Sequence, residues 1–225
     1  MNIGIIGAGA MAQAICKHTL NSGHSVMLSN SRGPQTLNQL VGSLGCSAGT
    51  ITEAAEFGDI VIIAIPLGMY RTLPTSPLTG KITLDLLNYF PHRDGVIPEL
   101  QRGEITTSEL LARHIPNARL VKALNSITVE DLRKDNRPVG APERRAIPIA
   151  GNDIEAKEVT ARFINDIGFD VVDGGDLSDS WRFERFRPVY CVALDKESMM
   201  QTLASTTRDT RVPDGYWLYN RRILK

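Results

Sequence analysis

No Asp or Glu occurs in the first 52 of the 225 residues; Glu53 is the first carboxylate. Nothing in that stretch can accept a hydrogen bond from a ligand hydroxyl as a carboxylate would, or repel a bound anion. Long apolar runs are also missing. The run over residues 61–65 stops at Pro66, far short of the ~20 residues that cross a bilayer, so no membrane partner is expected. Cysteine is scarce: Cys16, Cys46 and Cys191 are odd in number and far apart in sequence. Such spacing excludes a disulfide framework and suits reduced, mostly buried thiols in a cytoplasmic protein. Net charge is absent, with 25 Lys+Arg against 25 Asp+Glu, which leaves no global field to draw in nucleic acid. The N-terminus has neither a basic region nor a small-residue cleavage site, so secretory export by that route is not expected. What is present, 42% hydrophobic and 22% charged residues, has the balance of a folded globular chain.

The length fits one large domain or a domain plus a compact extension. Short apolar runs alternate with longer amphipathic stretches, the pattern of an α/β protein. Strands are predicted over Asn2–Ile6, Ser25–Ser29, 59–65, 81–87 and 119–124. Their near-continuous hydrophobicity indicates burial on both faces of a parallel sheet, with helices on either side. The first helix is expected over Ala10–Asn21, stopped by Gly23. Thr106 with Glu109 reads as a capping box for a helix that Pro116 ends, and Asn152 with Glu155 as another for a helix ending at Gly168. Residues 128–143, rich in charge and proline, read as a connecting segment. The expected architecture is a Rossmann-like, doubly wound α/β domain with a mainly parallel sheet over residues 1–127. A small C-terminal α/β extension over 144–225 should pack on it and on a partner in a homodimer. In that extension strands are predicted at 146–150 and 169–172, then a helix from about Ser178 that Pro188 kinks or delays.

Gly7-Ala8-Gly9-Ala10-Met11-Ala12 has the form G-x-G-x-x-A between a strand and a helix, the context in which the pattern signals a dinucleotide site. Gly7 permits the tight turn, Gly9 leaves room for a pyrophosphate, and Ala12 lets the helix lie against the strand. The phosphates would meet free N–H groups at a helix N-terminus. The second strand runs out into Asn30-Ser31-Arg32-Gly33, with no acidic residue to take the ribose hydroxyls. A guanidinium with short hydroxyl and amide donors suits a 2′-phosphate, so the expected cofactor is NADP(H). Ala64, Ile65 and Pro66 end the next strand, and Asn88 and Asn125 follow two more. Those positions fall at the carboxyl edge of the sheet, where ligands bind. The two amides could face the nicotinamide or its ribose, or serve as turn residues.

These segments, with Val121-Lys122-Ala123-Leu124-Asn125, Ile149-Ala150-Gly151-Asn152-Asp153 and Gly168-Phe169-Asp170-Val171-Val172-Asp173-Gly174-Gly175, resemble the coenzyme F-420-dependent NADP oxidoreductase family. From Lys81 to about Tyr190, including Trp181, Glu184 and Pro188, the chain is also similar to the cytosolic oxidoreductase domain of the six-transmembrane epithelial antigen metalloreductases. The resemblance implies a Rossmann domain with a small C-terminal α/β part. It implies hydride exchange between NADP(H) and a deazaflavin (F-420) or a flavin, FMN or FAD. On it, Ala8, Gly9, Ala10 and Met11 contact the pyrophosphate and Ser31 and Arg32 the 2′-phosphate, while Ile65, Pro66, Asn88 and Asn125 flank the nicotinamide. The sequence departs from the deazaflavin enzymes at Asn125-Ser126, where many carry His-Thr, and in a longer charged loop over 89–104. Both departures bear on the acceptor.

No catalytic acid or base and no metal ligand is assigned, since hydride transfer to a flavin-like ring needs only proximity. A carbonyl or imine substrate would need a proton donor, for which His92 and Lys122 are the candidates. A sensor that binds NADP(H) without turnover is the remaining alternative. Trp181, Arg182, Glu184 and Arg185 lie close together on the predicted last helix, and suit either a flavin pocket or a dimer surface. The tail from Arg211, with Tyr216, Trp217 and Tyr219, is aromatic enough to dock on the body or on a partner.

Overall fold

The computed structural model describes residues 1–220; the end of the aromatic tail, 221–225, lies outside the described residues. Six strands form one sheet: β1 (Asn2–Ile6), β2 (Ser25–Ser29), β3 (Ser47–Gly49), β4 (Ile60–Ile63), β5 (Ile82–Asp85) and β6 (Arg119–Lys122). Their order is β3-β2-β1-β4-β5-β6, the order of a Rossmann fold, which reverses between β1 and β4. β1 pairs in parallel with β2 and with β4, setting Ile5 beside Leu28 on one side and Ile62 on the other. All four residues of β4 are buried. A strand covered on both faces has no solvent side for a polar residue, and each such side chain contributes roughly 1.5–3 kcal/mol on burial.

Helix α1 (Ala10–Asn21) connects β1 to β2, as its periodicity predicts. It is followed by α2 (Asn38–Leu44) and α3 (Ile51–Phe57). Neither α3 nor β3 is foreseen: β3 is three residues long and has no apolar run. The helix α3 starts at a capping box, Thr50 with Glu53. The remaining predicted strands are shorter than their apolar runs, because residues such as Ala64–Pro66 leave the sheet at its carboxyl edge. Between β5 and β6 lie two short turns, α4 (Pro91–Asp94) and α5 (Pro98–Gln101), then α6 (Thr107–His114) with the predicted Thr106–Glu109 box. Cys16 and Cys46, separate in sequence, meet through a thiol–thiol hydrogen bond that, with burial, pushes Cys16 well above the usual thiol range.

The chain divides into two compact units, Met1–Leu120 and a second beginning at Val121. In the second, the segment expected to be a plain connection contains helix α7 (Val129–Lys134), because Thr128 caps it by accepting from Asp131 N–H at 3.1 Å. Asp131 and Asp135 then hold the buried Arg145 at 3.1 and 2.9 Å. A parallel pair, β7 (Ala146–Ile149) and β8 (Asp170–Asp173), is joined by α8 (Ile154–Asp166). Its cap is Asp153, which accepts from Ala156 N–H at 2.9 Å. Asn152, the expected cap, accepts instead from Leu177 N–H. No α-helix starts at Ser178. Leu177–Phe183 is a 3₁₀ stretch, and α9 (Lys196–Ser205) forms only after Pro188, with Phe186 and Cys191 at φ 67° and 60° in between. Proline has no N–H for the ladder, and two left-handed residues end any helix. The core of this unit includes Phe183, Val189, Leu194, Met199 and Leu203, against which Tyr216 and Trp217 of α10 (Tyr216–Tyr219) pack. Burial pushes the Cys191 thiol up to about 12. Among the described residues no helix is long and apolar enough to cross a membrane.

Candidate functional site

Four strands of the first unit run out at one edge. The residues just beyond β1, β2, β3 and β4 enclose a cavity of about 360 Å³, lined by Gly7, Ala8, Gly9, Asn30, Ser31, Arg32, Ile51, Ala64, Ile65 and Pro66, together with Met69 and Thr72. It sits where the strand order reverses, the place an open parallel sheet leaves for a ligand.

The two glycines have different reasons. Gly7 has φ 127°, and a Cβ there would stand 2.3 Å from the Ala64 carbonyl oxygen. Its N–H donates to the Ser29 carbonyl at 2.9 Å, so it is wedged between the ends of β2 and β4 by the fold itself. A Cβ on Gly9 meets nothing within 4 Å. Its smallness therefore answers no contact among the described residues and leaves the approach to α1 open, as a pyrophosphate requires. Gly9 is the N-cap of α1, with no side-chain cap and no acidic residue in the first turn. The N–H groups there and the positive end of the helix dipole are left for an anion. Gln13 Nε2 donates to the Ala8 carbonyl at 2.9 Å and fixes the loop.

The loop after β2 is tied by Asn30. Its Oδ1 accepts from Arg32 N–H at 3.0 Å and its Nδ2 donates to Thr36 Oγ1 at 2.9 Å, while Thr36 Oγ1 donates to the Gly33 carbonyl. Asn30 thus acts as a turn-builder, presenting Ser31 and Arg32 at the cavity. The Arg32 side chain is exposed and enters no hydrogen bond or ion pair among the described residues. The first carboxylate, Glu53, is turned onto Thr50 N–H at 2.7 Å, and this hydrogen bond holds it below its usual range. Among the described residues that line the cavity, Arg32 is the one with an ionisable side chain.

Residues 2–89 match the family described as NADP oxidoreductase, coenzyme F420-dependent. The resemblance read from the sequence therefore holds over the segment that builds this cavity. Metalloreductase STEAP3 of Rattus norvegicus is 28% identical over 184 residues, 81% of this chain and 35% of that protein, so the chain spans about a third of that relative's length. A solved hypothetical protein from Sinorhizobium meliloti is 27% identical with a TM-score of 0.76, covering 87% of this chain and 95% of that one. A protein titled as a candidate F420-dependent NADP reductase, from Arthrobacter sp. FB24, is 23% identical with a TM-score of 0.68, covering 81% of this chain and 87% of that one; this likeness concerns the fold.

The other expected residues fall as follows. Ala10 and Met11 belong to the first turn of α1 and do not line the cavity wall. Asn88 is half-buried outside the lining, and its carbonyl accepts from Arg93 Nη2 at 2.9 Å. Asn125 belongs to the second unit, where its amide donates to the Phe183 carbonyl at 3.0 Å. His92 is exposed on α4, its ring edge-on to Phe90, and Lys122 is fully buried. Sequence reasoning passes over Ile51, Met69 and Thr72, since apolar and small residues in loops carry no signal of their own. It also passes over Asp94. This carboxylate accepts from Gly68 N–H, Phe90 N–H and Arg93, latching the 89–97 loop to Leu67–Thr72, the segment that brings Met69 and Thr72 to the cavity. Burial pushes Asp94 up, but its hydrogen bonds from Arg93, Phe90 and Gly68 outweigh that and hold it below the usual carboxylate range.

Proposed function

We propose that the chain is an NADPH-dependent oxidoreductase that exchanges a hydride between NADP(H) and a flavin-type acceptor, a deazaflavin or FMN. The observation that carries the cofactor reading is an Arg32 uncompensated among the described residues beside an uncapped helix N-terminus, with a Gly9 whose missing Cβ no contact among those residues explains. The residues fit the group. The first turn of α1 would hold the pyrophosphate, and Ser31 and Arg32 the 2′-phosphate. Asn30 and Thr36 keep that loop in place.

Bound NADPH supplies the hydride. Ile65, Pro66 and Met69 form an apolar wall on the β4 side of the cavity, against which a nicotinamide ring would pack. The one proton-bearing side chain on that side among the described residues, Thr72, spends its hydroxyl on the Met69 carbonyl at 2.7 Å, which suits an acceptor ring that needs no proton donor. That feature, together with the family match, favours a flavin-type acceptor over a carbonyl or imine.

The test is a titration of the purified chain with NADPH and NADH, followed by mixing of the preferred one with deazaflavin, FMN, quinones and ferric chelates. Preference for NADPH with reduction of the deazaflavin or FMN is the expected result. Turnover confined to ferric chelates or quinones would remove the flavin-type acceptor, and tight NADPH binding without any turnover would leave a sensor. Preference for NADH would overturn the cofactor reading.

A further inference from the structure

The second unit concentrates guanidinium groups around two aromatic rings. Arg182, Arg187 and Arg208 lie 5.0, 4.8 and 4.4 Å from the Trp181 ring centroid, and Arg185 and Arg211 lie 4.7 and 5.0 Å from that of Phe186. The Trp181 side chain is thereby enclosed, at 7% exposure, so the indole does not offer a face for a flavin ring to stack on. What the cluster presents is cations. Arg182 is paired with Asp179 and Arg185 with Asp214. Arg187, Arg208 and Arg211 have no carboxylate partner among the described residues.

The geometry is built by the chain. Arg187 Nη1 donates to the carbonyls of Thr207, Arg208 and Thr210, wrapping the loop after α9 around its guanidinium and setting Arg208 and Arg211 over the rings. Cation–π contacts offset part of the cost of gathering these charges. Repulsion is left over: Arg187 is held below the usual guanidinium range by burial first, then by Arg211 and Arg208, against the weaker attraction of Glu184 and Asp209. A chain that spends its own carbonyls to bring like charges together has made a receptor for an anion.

We propose that Arg187, Arg208 and Arg211 form a recognition site for a phosphate group. Phosphate presents several charged oxygens, which more than one guanidinium fork engages at once, whereas a single carboxylate is satisfied by one fork. The site lies in the second unit and the cavity in the first, and the two are tested apart.

The experiment is isothermal titration of the full chain, saturated beforehand with NADPH so that the start of α1 is occupied, with inorganic pyrophosphate at constant ionic strength. It compares the wild type with the Arg208→Ala, Arg211→Ala double variant and with Arg32→Ala. The site predicts saturable binding that is at least tenfold weaker in the double variant and unchanged in Arg32→Ala. Both changed side chains are exposed, and a far-UV circular dichroism spectrum and thermal melt equal to wild type show that the double variant is folded; Arg211→Gln alone serves if it is not. Sedimentation with phosphatidylcholine vesicles containing phosphatidate distinguishes sources. Binding to vesicles, lost in the double variant, makes the phosphate a lipid headgroup, and its absence beside pyrophosphate binding makes it a free phosphorylated compound. No saturable binding of either, or pyrophosphate binding that the double variant keeps, overturns the proposal.

Discussion

Replacing Arg32 by alanine isolates the 2′-phosphate reading because so little else should change. The guanidinium is exposed and makes no bond among the described residues, so its removal should leave no protein group unpaired, and stability should stay within ~0.5 kcal/mol of wild type. The backbone N–H of Arg32, held by Asn30 Oδ1 at 3.0 Å, survives the substitution, so the loop keeps its shape. The loss in binding is then the loss of one charge-assisted contact, worth about 1.5–3 kcal/mol, or roughly 10- to 100-fold in Kd. NADH lacks the phosphate and should change by less than about twofold. Titrating both dinucleotides against both proteins by fluorescence gives four constants, and the ratio of ratios is the contribution of the contact. Raising the salt should shrink the preference for NADPH over NADH in the wild type more than in the variant, since an exposed charge pair is screened. Equal losses for NADPH and NADH would refute the assignment, because a phosphate contact cannot weaken a ligand that has no phosphate.

The glycines separate fold from binding. Gly9→Ala should leave urea-unfolding stability near wild type, because its Cβ meets nothing, while NADPH affinity drops at least tenfold; unchanged affinity would remove the pyrophosphate from this loop. Gly7→Ala should destabilise by about 3 kcal/mol or more, since φ 127° and a 2.3 Å approach to the Ala64 oxygen leave it no room; a melting temperature equal to wild type would contradict the geometry. Asp94→Ala should cost about 1–3 kcal/mol in urea unfolding by stranding the N–H groups of Gly68 and Phe90. The folded carboxyl of Asp94 lies below its unfolded value. Its contribution is complete above about pH 4 and is lost as pH falls through the folded value. The variant should therefore lose that part of the acid dependence, and an acid-unfolding profile parallel to wild type would refute the latch.

The sequence by itself determined the cavity end of the first unit. A glycine pattern between β1 and α1, apolar strands, and the lack of any carboxylate before Glu53 are local facts. A βαβ unit turns them into a pocket with little freedom, because parallel strands put their carboxyl ends at one edge. Capping patterns placed the start of α6 for the same reason: Thr106 and Glu109 satisfy each other within one turn. What tertiary structure alone decided depends on residues distant in the chain. Thr128 caps α7 locally, but its place is set by Arg145, which Asp131 and Asp135 hold, and β3 arose at a sheet edge with no apolar run to announce it. Asp94 became a latch because Gly68 lies against it, and Asn30 became a turn-builder because Thr36 and Arg32 fold back on it. The arginines from Arg182 to Arg211 were scattered charges until the loop after α9 closed on Arg187. Local propensity fixes backbone that repeats with its own period, and long-range packing fixes where isolated polar side chains find their partners.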